Sequence, residues 1–187
     1  MLTAVLYSLG ASAFVFLLPV FATQLLDANP VELGWLWSSL GIGMLAASAW
    51  LAWINQGDLQ NRLRLISAAL AVGAVAVCTL GMLQVPVMAA ALIIVFGGST
   101  AVFTPVVCAM LQELTPKPLL GRVFTTFSTG AMASAMAGMA GFGWVADAVG
   151  PAASLVGIGV LLLATATVAA AFSRRHPDRT APNIIPV

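Results

Sequence analysis

Five residues of one apolar stretch, Gly97, Thr100, Thr104, Cys108 and Gln112, follow one another at three- or four-residue intervals. That spacing puts them on a single face of a helix, with Pro105 beside them to permit a bend. Ser8, Ser12, Pro19 and Thr23 form a similar stripe near the start of the chain. Hydroxyl, amide and thiol groups aligned in this way suit a surface that passes polar or amphipathic solutes, because polar groups that face lipid are costly. The competing reading is that each hydroxyl only bonds the carbonyl of the preceding turn or a neighbouring helix.

Bond-making chemistry has no candidates of this kind. The single histidine, His176, lies in the last segment, and no carboxylate, histidine or lysine falls in the centre of any apolar stretch. A nucleophile with its base, or a pair of acids, is therefore missing at membrane depth, and the chain is expected not to be an enzyme. Cys78 and Cys108 have no CxxC partner and no neighbouring histidine, which argues against zinc or a disulfide and for small packing residues. No cofactor is expected, and no intramembrane group that would couple transport to protons or sodium is evident.

Composition explains where these stripes sit. Only 7% of the 187 residues are charged and 61% are hydrophobic, with a mean hydropathy of +1.05; a soluble domain would carry about a quarter charged residues. Apolar runs long enough to cross a bilayer recur six times. They are expected at Leu2 to Leu26, Gly34 to Ile54, Leu65 to Leu83, Pro86 to Leu111, Val123 to Val145 and Pro151 to Phe172. The first lacks a basic leader and is too long for a secretory signal. Turn chemistry separates the runs at Asp27-Ala28-Asn29-Pro30, Asn55-Gln56-Gly57-Asp58, Pro116 to Pro118 and Gly150-Pro151. Residues 1–173 are thus expected to form one six-helix membrane domain. Residues 174–187, with three arginines and three prolines, read as a solvated tail.

The seven basic residues orient the domain. Arg62, Arg64, Lys117, Arg122, Arg174, Arg175 and Arg179 all fall in alternate connections or the tail, whereas Asp27, Glu32 and Asp147 occupy the others. The positive-inside rule makes the basic side cytoplasmic, with both termini there. Trp35, Trp37, Trp50, Trp53 and Trp144 fall at the ends of the expected helices, where indoles prefer to sit. Topology accounts for the basic residues, so no nucleic-acid partner is expected.

Helix five carries Gly130, Ser134 and Gly138 at four-residue spacing, a row that lets helix backbones approach closely. Met132, Met136 and Met139 surround it and fill gaps or form a malleable contact surface. The turn after helix two reads Gly57-x-x-x-Asn61, and helix five ends in Gly143-x-x-x-Asp147. The middle helix of each consecutive triplet thus ends alike, on opposite sides of the membrane. This pattern predicts a three-plus-three inverted repeat in an all-α fold.

Several segments resemble those of a known family. Leu18-Pro19-Val20-Phe21-Ala22, Gly34 and Gly41-Ile42-Gly43 are similar to the seventh and eighth helices of bacterial major facilitator exporters. Leu111-Gln112-Glu113-Leu114-Thr115-Pro116, followed by Leu120-Gly121-Arg122-Val123-Phe124, resembles the tenth-to-eleventh helix junction of the subfamily that includes enterobactin and macrolide exporters. Gly143 to Asp147 with Gly150-Pro151 resembles the next turn.

The resemblance spans nearly the whole chain but only the C-terminal half of the family's twelve helices. It implies efflux of a small molecule across a bacterial inner membrane by alternating access, with Ser8, Ser12, Thr100, Thr104 and Gln112 on the pathway. It also implies a partner beyond the lipid bilayer, either a missing N-terminal six-helix half or a second copy of the chain. The alternative is a non-transporting fragment or a self-associating six-helix protein with a packing role. In the family, the turn containing Gly57, Asn61 and Arg62 latches the halves together through charge; here Asn61 replaces the acid and leaves Arg62 and Arg122 as the expected gate residues. Arg62 and Arg64 are equally consistent with simple markers of the cytoplasmic side. Glu113 is expected to face Lys117 or Arg122.

Overall fold

A computed structural model describes residues 2–54, 59–83 and 85–175. Six helices follow one another: α1 (Leu2–Leu25), α2 (Pro30–Trp53), α3 (Leu59–Met82), α4 (Pro86–Leu114), α5 (Leu120–Val149) and α6 (Pro151–Arg175). A single 3₁₀ turn, Lys117–Leu119, joins α4 to α5. Among the described residues there is no strand. Residues 176–187 of the expected tail, and Gly57 of the expected gate turn, lie outside the described residues.

Five of the six helices are both long and apolar enough to cross a membrane. α5 has the length, at 30 residues, but its many glycines, serines and threonines dilute its apolar character. Most helices also outrun the apolar stretches that announce them. α2 starts at Pro30 rather than Gly34 because Asn29 caps it: the Asn29 side chain accepts from the Val31 and Glu32 amides at 3.0 Å, and Glu32 accepts from the Asn29 amide at 2.9 Å. This reciprocal box satisfies donors that a helix start would leave bare, and a proline is tolerated at the first position. α3 takes in Arg62 and Arg64 and α6 takes in Arg174 and Arg175. Hydropathy marks only the hydrocarbon part of a helix, and the backbone carries on into the polar boundary.

The helices do not pack in chain order. α2 lies against α4 and α5 against α1; α3 packs on α4 and α6 on α1; and α3 and α6 share the most extensive interface. Consecutive helices α2 and α3 are not close neighbours. Phe14, Leu17, Leu18, Phe21, Ile93, Phe96, Leu155, Ile158 and Leu162 are fully buried between these layers. α2 and α5 lie at the flanks with broad exposed faces, including Trp35, Leu45, Trp53, Met132, Met136 and Trp144.

Glycine sets how closely the main pairs approach. A Cβ on Gly43 would overlap the Ile94 carbonyl of α4, and one on Gly97 would overlap the Leu40 carbonyl of α2. Gly138 of α5 stands in the same relation to the Leu9 carbonyl of α1, and Gly159 of α6 to Cys78 of α3. Burying apolar side chains does little to drive helices together in lipid, so dispersion at such short range carries much of the association. Ser134 and Gly138 are buried in the α1–α5 seam, with the Ser134 hydroxyl donating to the Ala131 carbonyl at 2.9 Å. Gly130 has nothing within 4 Å of where its Cβ would be. The close-packed row therefore ends at Ser134.

Gly43→Ala should lower the thermal midpoint of the detergent-solubilised protein, with an overpacking penalty of about 1–3 kcal/mol. Gly130→Ala, made in open space, should leave the midpoint unchanged or raise it slightly. Equal effects of the two changes would show that close approach at Gly43 does not hold α2 to α4.

Candidate substrate pathway and interhelical ion pair

The two hydroxyl-bearing stripes fall on helices that aromatic side chains bridge. Tyr7 of α1 stacks on Phe103 of α4 with ring centroids 3.8 Å apart, and Phe14 meets Phe96 at 4.2 Å. Climbing α1 while descending α4 gives one contact after the other, as expected for helices crossing in opposite directions. The buried Tyr7 side chain also lies close to the Thr104 side chain.

Position along α4 decides what each stripe residue can do. Gly97 is buried against α2, and Thr100 is half-buried with its hydroxyl donating to the Gly97 carbonyl at 2.7 Å. That bond uses the proton of Thr100 and leaves its oxygen lone pairs as acceptors. Thr104 is exposed, Cys108 half-buried and Gln112 exposed. On α1, Ser8 and Ser12 are half-buried, and the stripe continues through the exposed Phe16 to Thr23, whose hydroxyl donates to the Pro19 carbonyl at 2.9 Å. Both stripes thus emerge from the packed interior onto uncovered surface. The chemistry they offer is weak and reversible: hydroxyl, phenol and amide contacts beside aromatic rings, suited to holding an amphipathic solute and releasing it.

Tyr7 and Phe103 do not stand out from the polar periodicity of either helix. The available signal was that Tyr7 is the sole tyrosine of the chain. A buried phenol generally finds a hydrogen-bond partner.

Where α3 starts and α4 ends, one ion pair ties the two helices together. The Arg62 Nη1 donates to Glu113 Oε2 at 2.8 Å, with the arginine side chain 18% exposed and the carboxylate 59% exposed. Glu113 thus faces neither Lys117 nor Arg122, against the expectation from its position. The reason is topological: α3 starts where α4 ends, so Arg62 reaches Glu113 across the seam, although 51 residues separate them. Arg122 is exposed near the start of α5 and Asn61 is exposed beside Arg62. Arg62 Nε is buried without a partner, so Glu113 provides the main compensation for a guanidinium mostly removed from water.

Glu113→Ala should destabilise the protein by about 1 kcal/mol, above the floor for open surface pairs because the arginine is largely covered. The charge-exchanged double variant Arg62→Glu with Glu113→Arg should recover part of the loss. A double-mutant cycle on thermal midpoints at low salt checks this, and a coupling of zero would dismiss the pair as a contributor.

These features are held by a chain whose relations can be stated at the level of a superfamily. The family model described as Major Facilitator Superfamily matches residues 1–186. No curated protein matches the chain significantly, and no solved structure does. With helices long and apolar enough to cross a bilayer, the chain is a multi-pass membrane protein that belongs to the major facilitator superfamily, whose members transport small molecules across membranes.

Proposed function

We propose that this chain is a six-helix transport unit that exports small amphipathic molecules from the cytoplasm, supplying the C-terminal half of an alternating-access pathway. The observation that carries this reading is the α1–α4 side-chain contact, in which Tyr7 reaches Phe103 and Thr104 beside hydroxyl stripes that open onto uncovered surface. In this reading Ser8, Ser12, Thr100, Thr104 and Gln112 line one wall of the pathway. The other wall belongs to an N-terminal six-helix half or to a second copy of the chain.

The unit is read as a three-plus-three inverted repeat. Support comes from the packing: exchanging the first triplet of helices with the second turns the α2–α4 pair into α5–α1, the α3–α4 pair into α6–α1, and α3–α6 into itself. Orientation follows the basic residues, which put Arg62, Arg122 and both termini on the cytoplasmic face of a bacterial inner membrane. The Arg62–Glu113 pair then lies at the cytoplasmic gate, where it holds α3 against α4. Membership of the enterobactin and macrolide exporter-like subfamily rests on the Leu111 to Pro116 and Leu120 to Phe124 segments. The absence of an acid pair or a nucleophile with its base among the apolar segments favours transport without catalysis.

Ethidium, an amphipathic cation, serves as the probe in efflux-deficient bacteria that express the chain. Dye-loaded cells should lose fluorescence faster on energisation than cells without the chain. Thr104→Trp should return the rate to background while a fluorescent C-terminal fusion still reports membrane insertion. Unchanged dye loss in the Thr104→Trp cells would remove α4 from the pathway.

A further inference from the structure

An open seam separates α2 from α3. Its walls are formed by Ala46 and Trp50 on one side and Leu65 and Ala68 on the other, with Gly98 and Ser99 of α4 on its floor, enclosing about 390 Å³. Ser99 offers nothing polar to an occupant, because it is buried and its hydroxyl donates to the Phe96 carbonyl at 2.7 Å. A second apolar groove of about 340 Å³, between α3 and α4, adjoins the first at Val72 and Val95 and reaches Val75 and Ala76. Along α3 the two adjoining grooves run from Leu65 to Ala76, about 16 Å at the helical rise. One leaflet of a hydrocarbon core about 30 Å thick has the same depth.

The corresponding seam between α5 and α6 is filled by the protein itself. The Phe142 ring lies 3.3 Å from where a Cβ on Gly157 would be, and the Ser154 hydroxyl donates to the Phe142 carbonyl at 2.9 Å. Small residues keep the α2–α3 seam empty where an aromatic ring closes its counterpart.

Charge marks one end of this groove. Arg64 is exposed and stands four residues before Ala68 and eight before Val72, so it lies on the helix face that lines the groove. Long helical side chains lean toward the helix N-terminus, which carries this guanidinium toward the cytoplasmic boundary. Trp50, 51% exposed, flanks the same end with an indole N–H suited to the headgroup level. Arg64 is not the arginine engaged by Glu113.

We infer that the α2–α3 groove is a binding site for one anionic phospholipid of the cytoplasmic leaflet, its acyl chain lying along Ala68 and Gly98 and its phosphate on Arg64. The leaflet-length apolar channel takes the hydrocarbon, and the arginine with Trp50 at its mouth takes the phosphate. Basic residues at the cytoplasmic boundary recognise anionic lipids in this manner.

Native mass spectrometry of the detergent-released full chain tests the site, with dioleoylphosphatidylglycerol titrated against dioleoylphosphatidylcholine so that only the headgroup differs. One phosphatidylglycerol per chain should be retained about fivefold more strongly than phosphatidylcholine, the weight of one basic residue at an anionic surface. Arg64→Ala should abolish that preference, and Ala68→Leu should reduce retention of both lipids. Ala46→Leu on the facing wall should act as Ala68→Leu does. Both positions are exposed, so thermal midpoints near wild type certify folding. Equal retention of the two lipids, preference that survives Arg64→Ala, or retention that survives both leucine variants would each overturn the proposal. A dimer that dissociates when the groove is filled would assign it to a second copy and overturn it equally.

Discussion

Backbone-to-backbone approach at glycine is the constraint on which this structure depends. The α2–α4 crossing passes over Gly43 and Gly97, the α1–α5 crossing over Gly138, and the α3–α6 crossing over Gly159. At each point a carbonyl or side chain of the neighbouring helix occupies the space that a Cβ would fill. Lipid solvates Leu and Val as well as a protein interior does, so apolar side chains alone would leave these helices free to drift apart. Close approach recovers association through dispersion and fixes which helix faces which. The non-sequential pairing, with α2 on α4 and α5 on α1, follows from it.

That pairing brings the candidate pathway together. With α2 and α5 held at the flanks, α1 and α4 are left to meet through Tyr7–Phe103 and Phe14–Phe96. The α4 stripe is buried against α2 at Gly97 and becomes exposed at Thr104, beside this aromatic contact. The same arrangement places the start of α3 beside the end of α4, which closes the Arg62–Glu113 pair. It also separates α2 from α3 and leaves the groove above Gly98 open. Pathway, ion pair and groove are thus three outcomes of one packing scheme.

Much of this was legible in the residues themselves. Apolar runs and turn signals locate all six helices, and Ser134 with Gly138 marks the face of α5 that α1 covers. Helix ends were less legible, because the Asn29–Glu32 capping box and the helical turns around Arg62 and Arg174 lie in the polar boundary, beyond the apolar run. Hydropathy undervalues α5 for a related reason: the glycines, serines and threonines that fit it to α1 are weakly apolar. Long-range partners were least legible. Nothing near Glu113 in the chain points to Arg62, and Tyr7 gains its role only when α4 brings Phe103 and Thr104 to it. Small-residue rows also overstate contact, as at Gly130, since spacing shows which face is smooth but not how far a neighbour covers it.

Disulfide formation between α2 and α4 tests the pairing of the two triplets most directly. A Cβ built on Gly98 lies 3.5 Å from the Ala47 Cβ, within the range that a disulfide spans without moving the backbone. Ala47→Cys and Gly98→Cys, introduced together with Cys78→Ala and Cys108→Ala, should give an intramolecular disulfide on mild oxidation in the membrane. Peptide mass mapping should find the two introduced thiols joined within one chain. Thiols that stay reduced, or that join only between chains, would contradict the docking of α2 on α4 and with it the architecture.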